Sequence, residues 1–138
     1  MTRSAAISRT VLTLKTHTRQ PARRLPVLFE EGWMNFYPAT QDDILGGEVV
    51  ERDYEAVVLE NEHLVVTMTP DFGGKIWSIY DKNAKRDAVY VPDVVKPGLI
   101  HSSGAWIAGG IEFNFPFGHT IRAMRHVPVT VVEDSPDR

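Results

Sequence analysis

The sequence predicts an all-β fold in which antiparallel strands are joined by short turns. Ten glycine and nine proline residues divide the 138-residue chain into pieces that are mostly too short for a helix. Neither residue occurs between positions 48 and 69, and that stretch is rich in the β-branched residues that favour strands. These observations make an antiparallel all-β architecture the expected one.

The stretch without glycine or proline, residues 48–69, is long enough for two strands. The polar pair Asn61-Glu62 divides it into predicted strands over residues 54–60 and 63–69. Pro70 ends the second strand because proline has no N–H to donate to a ladder. Two neighbouring antiparallel strands are therefore expected here.

The next residues complete a predicted β-meander. The pair Gly73-Gly74 allows the positive φ angles of a tight turn, and a third strand follows over residues 75–80. A polar turn at residues 81–85 leads to a fourth short strand over residues 88–91. Within the third strand, Trp77 is expected in the core, where tryptophan is mostly found.

Two more strands are predicted near the end of the chain, over residues 111–117 and 126–133. In the first of them, Glu112 and Asn114 share one face and present a carboxylate and an amide side by side. The alternate positions are expected to form a buried, mostly aromatic ridge on the other face: Ile111, Phe113, Phe115 and Phe117.

Other polar and aromatic residues surround this strand. His119 and Arg122 follow it, and Trp106 precedes it in a glycine-rich segment that is typical of an ordered functional loop. A carboxylate, an amide, an imidazole and a guanidinium near an indole ring suit a sugar. Sugar hydroxyls take paired donors and acceptors, and the apolar face of the sugar ring stacks on an aromatic side chain.

Each of these residues also has a purely structural interpretation. Glu112 could belong to a solvated outer face, and Asn114 could cap a turn. His119 could be an ordinary loop histidine, and Trp106 could lie in the core. The sequence leaves these alternatives open.

The charge of the chain is unevenly distributed. Residues 1–29 contain no carboxylate, whereas the remainder carries 9 of the 15 basic residues and all 18 acidic ones. Such an acidic body repels phosphate backbones, so no nucleic-acid partner is expected. Six basic residues lie in the N-terminal arm: Arg3, Arg9, Lys15, Arg19, Arg23 and Arg24.

The basic arm, residues 1–24, has two interpretations. Its Arg-, Ser- and Thr-rich composition resembles an organellar transit peptide, whereas the alternation over residues 11–18 fits a β-strand equally well. We expect this arm to be a separate, flexible segment. The β-domain is then expected over residues 25–138.

The absence of cysteine excludes disulfides, thiolate zinc sites and a cysteine nucleophile. His101, His119 and His126 are too widely spaced to form a metal motif, so neither a metal nor a cofactor is expected. No run of about 18 apolar residues occurs, so no membrane association is expected. These features favour a cytoplasmic protein.

One run of the sequence resembles a known superfamily. Residues 59–82 read LENEHLVVTMTPDFGGKIWSIYDK, with a strand, a Pro-x-x-Gly-Gly turn, a second strand and an Asp-Lys turn. This run is similar to the opening of galactose mutarotase-like (aldose 1-epimerase-like) β-sandwich domains. The resemblance implies an antiparallel sandwich of the mutarotase supersandwich type.

A second run narrows the resemblance. Residues 96–100 (KPGLI) and 104–116 (GAWIAGGIEFNFP) resemble the bacterial proteins that carry the uncharacterised domain DUF5107, in which helical tetratricopeptide repeats often follow. The resemblance covers residues 25–133. Where those proteins have two successive histidines, this chain has Gly118 and His119, so only His119 matches.

The resemblance implies a carbohydrate ligand and, in several branches, epimerase or glycoside hydrolase chemistry. For such chemistry Glu112 and His119 are the candidate acid/base residues, and Trp106, Asn114 and Arg122 are candidate substrate-binding residues. The chain matches only the N-terminal portion of such a domain. We therefore expect the remainder of a longer chain, or self-association, to complete it. A non-catalytic β-domain that binds carbohydrate or protein, or an inactive fragment, is the alternative.

Overall fold

The chain is all-β and antiparallel, as its sequence predicts. The computed structural model describes residues 5–19, 45–101, 104–113 and 125–132. Seven strands lie in these segments: β1 (Ala6–Arg19), β2 (Leu45–Glu60), β3 (Leu64–Thr69), β4 (Lys75–Asp81), β5 (Arg86–Asp87), β6 (Pro97–His101) and β7 (Gly104–Ile107).

The first five strands form one sheet in chain order, and β6 and β7 pair as a separate hairpin. β1 and β2 are long and make an antiparallel ribbon whose register runs from Ala6 opposite Glu60 to His17 opposite Val49. β1 lies within the basic N-terminal arm, so residues Ala6–Arg19 of that arm form a strand of the sheet, in agreement with the strand interpretation of residues 11–18.

Within the meander of β2, β3 and β4, the turn between β3 and β4 lies where the proline and glycine residues predict it. β3 ends at Thr69, and Pro70 opens a short 3-10 turn, Pro70–Phe72. Gly73 and Gly74 then adopt φ angles of 74° and 76°, in the left-handed region that glycine tolerates best. The register of β3 and β4 shifts between Thr67 and Met68, a β-bulge that leaves Trp77 as an extra residue in β4.

Two predicted strands are wrong within the described residues. Residues 88–91 are not a strand, because the hairpin after β4 closes earlier, at Arg86 and Asp87. Residues 126–132 are not part of a ladder. Pro128 has no N–H to donate, and Val127 N–H instead bonds the carbonyl of Pro70 at 3.0 Å.

The hydrophobic core lies between the sheet and the β6–β7 hairpin. Phe72, Trp77, Val95 and Ile107 are buried there, which confirms the predicted core position of Trp77. Tyr54, Phe72 and Trp77 form a chain of tilted rings, with centroids 4.6 and 5.5 Å apart. The hydroxyls of Tyr54 and buried Thr16 share a hydrogen bond of 2.9 Å. β1 and β2 are therefore tied to this core through a satisfied polar pair.

The opposite face of the sheet carries an apolar row. Directly paired positions share a face, and the register aligns Ile7 with Leu59, Leu59 with Val66, and Val66 with Ile79. Leu59 in this row is 36% exposed. The row crosses four strands without a charged residue, in contrast to the polar ends of the β1–β2 ribbon.

Candidate functional site

A glycine-dependent contact adds another segment to the edge of β4. Ile76 and Ile111 form an isolated antiparallel bridge, with N···O distances of 3.1 and 2.8 Å. Gly110 precedes this bridge with a φ of 61°, and a Cβ at this position would overlap the carbonyl oxygen of Ile76. The backbone at Gly110 can lie this close to β4 because glycine carries no side chain.

The bridge aligns Lys75 with Glu112. In an antiparallel pair the residue before one partner lies opposite the residue after the other, so these two side chains share a face. Lys75 is only 3% exposed, which is unusual for a lysine. Its Nζ donates a hydrogen bond to the carbonyl oxygen of Ile107 at the end of β7. Lys75 therefore joins β4, β7 and the Glu112 segment at one point.

The electrostatics of Lys75 reflect both its burial and its neighbour. Burial lowers the pKa of the Lys75 ammonium because the charged form loses its hydration, whereas the Glu112 carboxylate raises the pKa in the opposite direction. The burial effect is the larger, so the pKa is below its ordinary value of 10.5. A buried lysine facing a carboxylate at a sheet edge is a group of the kind that often marks a functional site.

The other end of β4 carries a second lysine in a different setting. Lys82 Nζ contacts Glu60 Oε1 at 2.5 Å and the carbonyl of Asn61 at 2.7 Å. The side chain of Lys82 remains 32% exposed. Beside it, the N–H groups of Ala84 and Asn83 bond the Asp81 carboxylate and lower its pKa. This end of the strand is a solvated turn.

A third polar cluster fastens residues 125–132 to the 3-10 turn. Asp71 accepts hydrogen bonds from the backbone N–H of Glu55 at 2.8 Å and contacts His126 Nδ1 at 3.0 Å. Gly73 N–H also bonds the carbonyl of Arg125 at 3.1 Å. This cluster fixes the path of the chain beyond the site, but it contains none of the predicted site residues.

The structure corrects the expected layout around Glu112. Ile111 and Phe113 are 40% and 53% exposed, so the described part of the predicted ridge is not buried. Of residues 111–113, the described part of the predicted strand 111–117, Ile111 alone joins the sheet, through its bridge to Ile76, and residues 112 and 113 are not in a strand. Glu112 is the residue that faces Lys75. Glu112 is half-buried rather than part of a fully solvated face.

The remaining predicted site residues are described only in part. Trp106 lies in β7, one residue before the carbonyl that Lys75 binds. Asn114, His119 and Arg122 lie outside the described residues. Their proximity to Glu112 therefore stays a prediction. Within the described segments, no three His, Asp or Glu side chains converge in the manner of a metal site.

A family model matches residues 32–137, which is most of the chain. The family is described as a domain of unknown function, DUF5107. The chain belongs to the DUF5107 family. This finding confirms the narrower of the two resemblances found in the sequence. The matched region of the DUF5107 chain includes the whole meander and both sides of the Lys75–Glu112 pair.

A solved structure is similar to this DUF5107 chain. It is a crystal structure of a TPR-domain containing protein from Parabacteroides distasonis, with a TM-score of 0.74 and 26% sequence identity. The alignment covers 99% of this chain and 23% of that protein. The chain thus spans less than a quarter of the length of the protein it matches. No helix long and apolar enough to cross a membrane occurs among the described residues.

Lys75 is the site residue that the sequence alone did not indicate. The position of Lys75 in the strand could have indicated it. Lys75 lies two residues before Trp77 in β4, so the two side chains share a face, and Trp77 belongs to the core. A lysine in phase with a core residue must find a partner inside the fold. The partners come from residues 107 and 112, more than 30 positions away, which no local pattern reveals.

Proposed function

We propose that this DUF5107 chain binds a sugar or a glycoside at the edge of β4. The observation that carries the proposal is the pair formed by buried Lys75 and Glu112 beside the strand that contains Trp106. A carboxylate held in place by the fold is a suitable acceptor for the hydroxyl groups of a sugar. An indole near such an acceptor would supply the apolar surface for the ring face.

The resemblance to mutarotase-like domains supports the same ligand class. Mutarotation and glycoside cleavage both move protons on and off ring or glycosidic oxygens, and each needs an acid and a base. Glu112 is our candidate for one of these groups, and His119 is our candidate for the other. Asn114 and Arg122 are proposed to bind the hydroxyl groups of the substrate.

A thermal-shift screen tests the binding proposal. At a ligand concentration about a hundred times the dissociation constant, binding stabilises the folded state by about 2.7 kcal/mol, which raises the melting temperature by several degrees. We expect at least one mono- or oligosaccharide to produce such a shift at millimolar concentration. The variant Glu112→Gln, which keeps the shape of the side chain but removes its charge, should abolish the shift.

Glu60→Gln is the matched control, because Glu60 also faces a lysine but lies at the solvated end of β4. This variant should bind the sugar as the unmodified chain does. If no sugar shifts the melting temperature, or if Glu112→Gln responds normally, the proposed site is wrong. If the chain turns over a glycoside and Glu112→Gln retains that turnover, Glu112 is not the catalyst.

A second candidate function, a protein-interaction module, is favoured by the apolar row on the outer face. Leu59 in this row and Leu64 beside it are both 36% exposed, and contiguous exposed apolar residues often mark an interaction surface. Because the chain matches 23% of a longer TPR-domain containing protein, we propose that further sequence of such a longer protein covers the row.

Light scattering tests this second candidate. With the row uncovered, the 138-residue chain should self-associate through the apolar face. Leu59→Glu places a charge in the middle of the row and should restore a monomer. A monodisperse monomer of the unmodified chain would contradict the interaction proposal and would leave carbohydrate binding as the sole candidate.

A further inference from the structure

Lys75 makes contacts that a purely structural lysine does not need. Its hydrogen bond to Ile107 satisfies a backbone carbonyl, which a neutral donor could also do. The ammonium group also faces Glu112, in a setting where burial disfavours its charge. Keeping a positive charge there costs stability, so the charge itself is the feature that needs an explanation.

We infer that Lys75 is a positioning residue of the proposed sugar site, whose charge holds the Glu112 carboxylate in place beside β7. This inference rests on the proposed function, because it assigns Lys75 a role in the same site. Lys75 acts through Glu112 and need not touch the ligand itself. Its burial agrees with such an indirect role.

The surrounding contacts specify how the positioning works. Thr69 on β3 is paired with Lys75, and the Thr69 hydroxyl bonds the Lys75 carbonyl at 3.3 Å. On β7 the Ile107 carbonyl accepts from Nζ. Of the described residues packed against Lys75, Glu112 is the one that contributes a charge to its electrostatics. β3 thus holds the backbone of Lys75 and β7 holds its ammonium group, which is attracted to the Glu112 carboxylate.

The attraction of the held Lys75 ammonium limits the motion of the Glu112 side chain. A glutamate at a sheet edge loses side-chain entropy when a ligand immobilises it. A carboxylate already held by a buried cation has lost part of that freedom before the ligand arrives, which favours binding. The same attraction disappears when the lysine loses its proton. Ligand affinity should therefore fall as the pH rises through the lowered pKa of Lys75.

The first test needs no sugar and measures the pairing directly. The 13Cε resonance of Lys75 is titrated in the unmodified chain, in Glu112→Gln and in the control Glu60→Gln. Because the Glu112 charge raises the pKa of Lys75, Glu112→Gln should move the midpoint downwards, whereas Glu60→Gln should leave it unchanged. An unchanged midpoint in Glu112→Gln would overturn the inference, whatever the ligand proves to be.

The second test uses a sugar identified by the thermal-shift screen. Below the lowered pKa of Lys75, where the unmodified chain carries the charge, the variant Lys75→Met should bind at least about tenfold more weakly, and this difference should shrink as the pH rises through that pKa. Lys75→Arg keeps its charge at alkaline pH, so it should lose the alkaline decline in affinity that the unmodified chain shows. A merely structural lysine would give parallel pH profiles in all three proteins, and that result would contradict the inference.

The two tests separate the two claims. If the Lys75 midpoint responds to Glu112→Gln but no sugar binds, the pair stands and the proposed function fails. If a sugar binds through Glu112 but the Lys75 midpoint does not respond, the proposed function stands and Lys75 is not its positioning residue. If either lysine variant fails to fold, the titration of Glu112→Gln still decides the inference.

Discussion

The two ends of β4 each hold a lysine against a glutamate, yet the two pairs differ in almost every physical respect. Lys75 is buried, whereas Lys82 is 32% exposed. Lys75 meets Glu112 through a bridge between distant segments, and Lys82 meets Glu60, the last residue of β2, within the β2–β3–β4 meander. The solvated pair contributes little to stability because water screens it. At the other end, burial lowers the pKa of Lys75 and the Glu112 carboxylate partly opposes that shift. Burial, and not the presence of an ion pair, distinguishes the candidate site from the turn.

The largest expected effect comes from the glycine that allows the site to form. Gly110→Ala places a Cβ against the carbonyl oxygen of Ile76 and forces a positive φ on alanine. The bridge to β4 must then open, and we expect a loss of about 2–5 kcal/mol in the free energy of unfolding. Urea denaturation followed by far-UV circular dichroism measures this loss.

Gly74→Ala is the control for Gly110→Ala. Gly74 also has a positive φ, of 76°, but a Cβ there meets no atom within 4 Å. Only the backbone strain remains, so the expected loss is about 1–2 kcal/mol. Equal losses in the two variants would show that strain alone, and not the close approach of the Gly110 segment to β4, accounts for the effect.

Removing each lysine compares the two ends directly. Lys75→Met leaves the carbonyl of Ile107 without its donor inside the fold, so the expected cost is about 1–3 kcal/mol at neutral pH. Lys82→Met removes a partly exposed ion pair and a hydrogen bond to the carbonyl of Asn61, both at a solvated turn where water can replace the lost donor, and its cost should be about 0–1 kcal/mol. Both values come from urea midpoints. A larger loss for Lys82→Met than for Lys75→Met would reverse the comparison.

A smaller effect is expected from the pH dependence of Lys75. Because its pKa is lower in the folded state than in the unfolded chain, the unfolded chain binds the extra proton between the lowered pKa and 10.5. Stability contributed by Lys75 therefore rises with pH across that interval. The stability difference between the unmodified chain and Lys75→Met should grow as the pH increases towards 10.5, and a constant difference would contradict the account.

The smallest effect belongs to the solvated end of β4. The N–H groups of Ala84 and Asn83 lower the pKa of Asp81, so its contribution is present above the ordinary value of 3.8 and is lost as the pH falls through the lowered pKa. Asp81→Asn keeps an acceptor but cannot be protonated in this range. The acid limb of its unfolding profile should be slightly flatter than that of the unmodified chain. A steeper acid limb in Asp81→Asn would be inconsistent with this cause.

Local signals in the sequence predict the meander well. Pro70 and the glycine pair Gly73-Gly74 punctuate it, so the predicted strands 63–69 and 75–80 differ from β3 and β4 by one residue each. The beginning of β2 is missed because residues 45–53 include both charges and glycines, and this strand depends on its pairing with β1. Partnership across 30 or more residues replaces local propensity there.

The site is only half predictable for the same reason. Glu112 stands out in the sequence because it alternates with apolar residues, but its neighbour Lys75 is 37 positions earlier and is brought to it by one bridge. The predicted burial of Ile111 and Phe113 fails because periodicity gives the alternation of faces but not which face is covered. Chemistry that depends on a bridge between distant segments becomes visible only when the fold is known.

The most direct test of the central claim is a ligand titration followed by the backbone amide resonances of the whole chain. With a sugar that raises the melting temperature, the account predicts saturable shifts for Ile76, Ile111 and Glu112, at the buried end of β4. The amides of Asp81 and Lys82, at the solvated end, should remain unchanged. Shifts confined to the Lys82 end, or no saturable shift at the Lys75 end with any sugar, would contradict the claim that this edge binds carbohydrate.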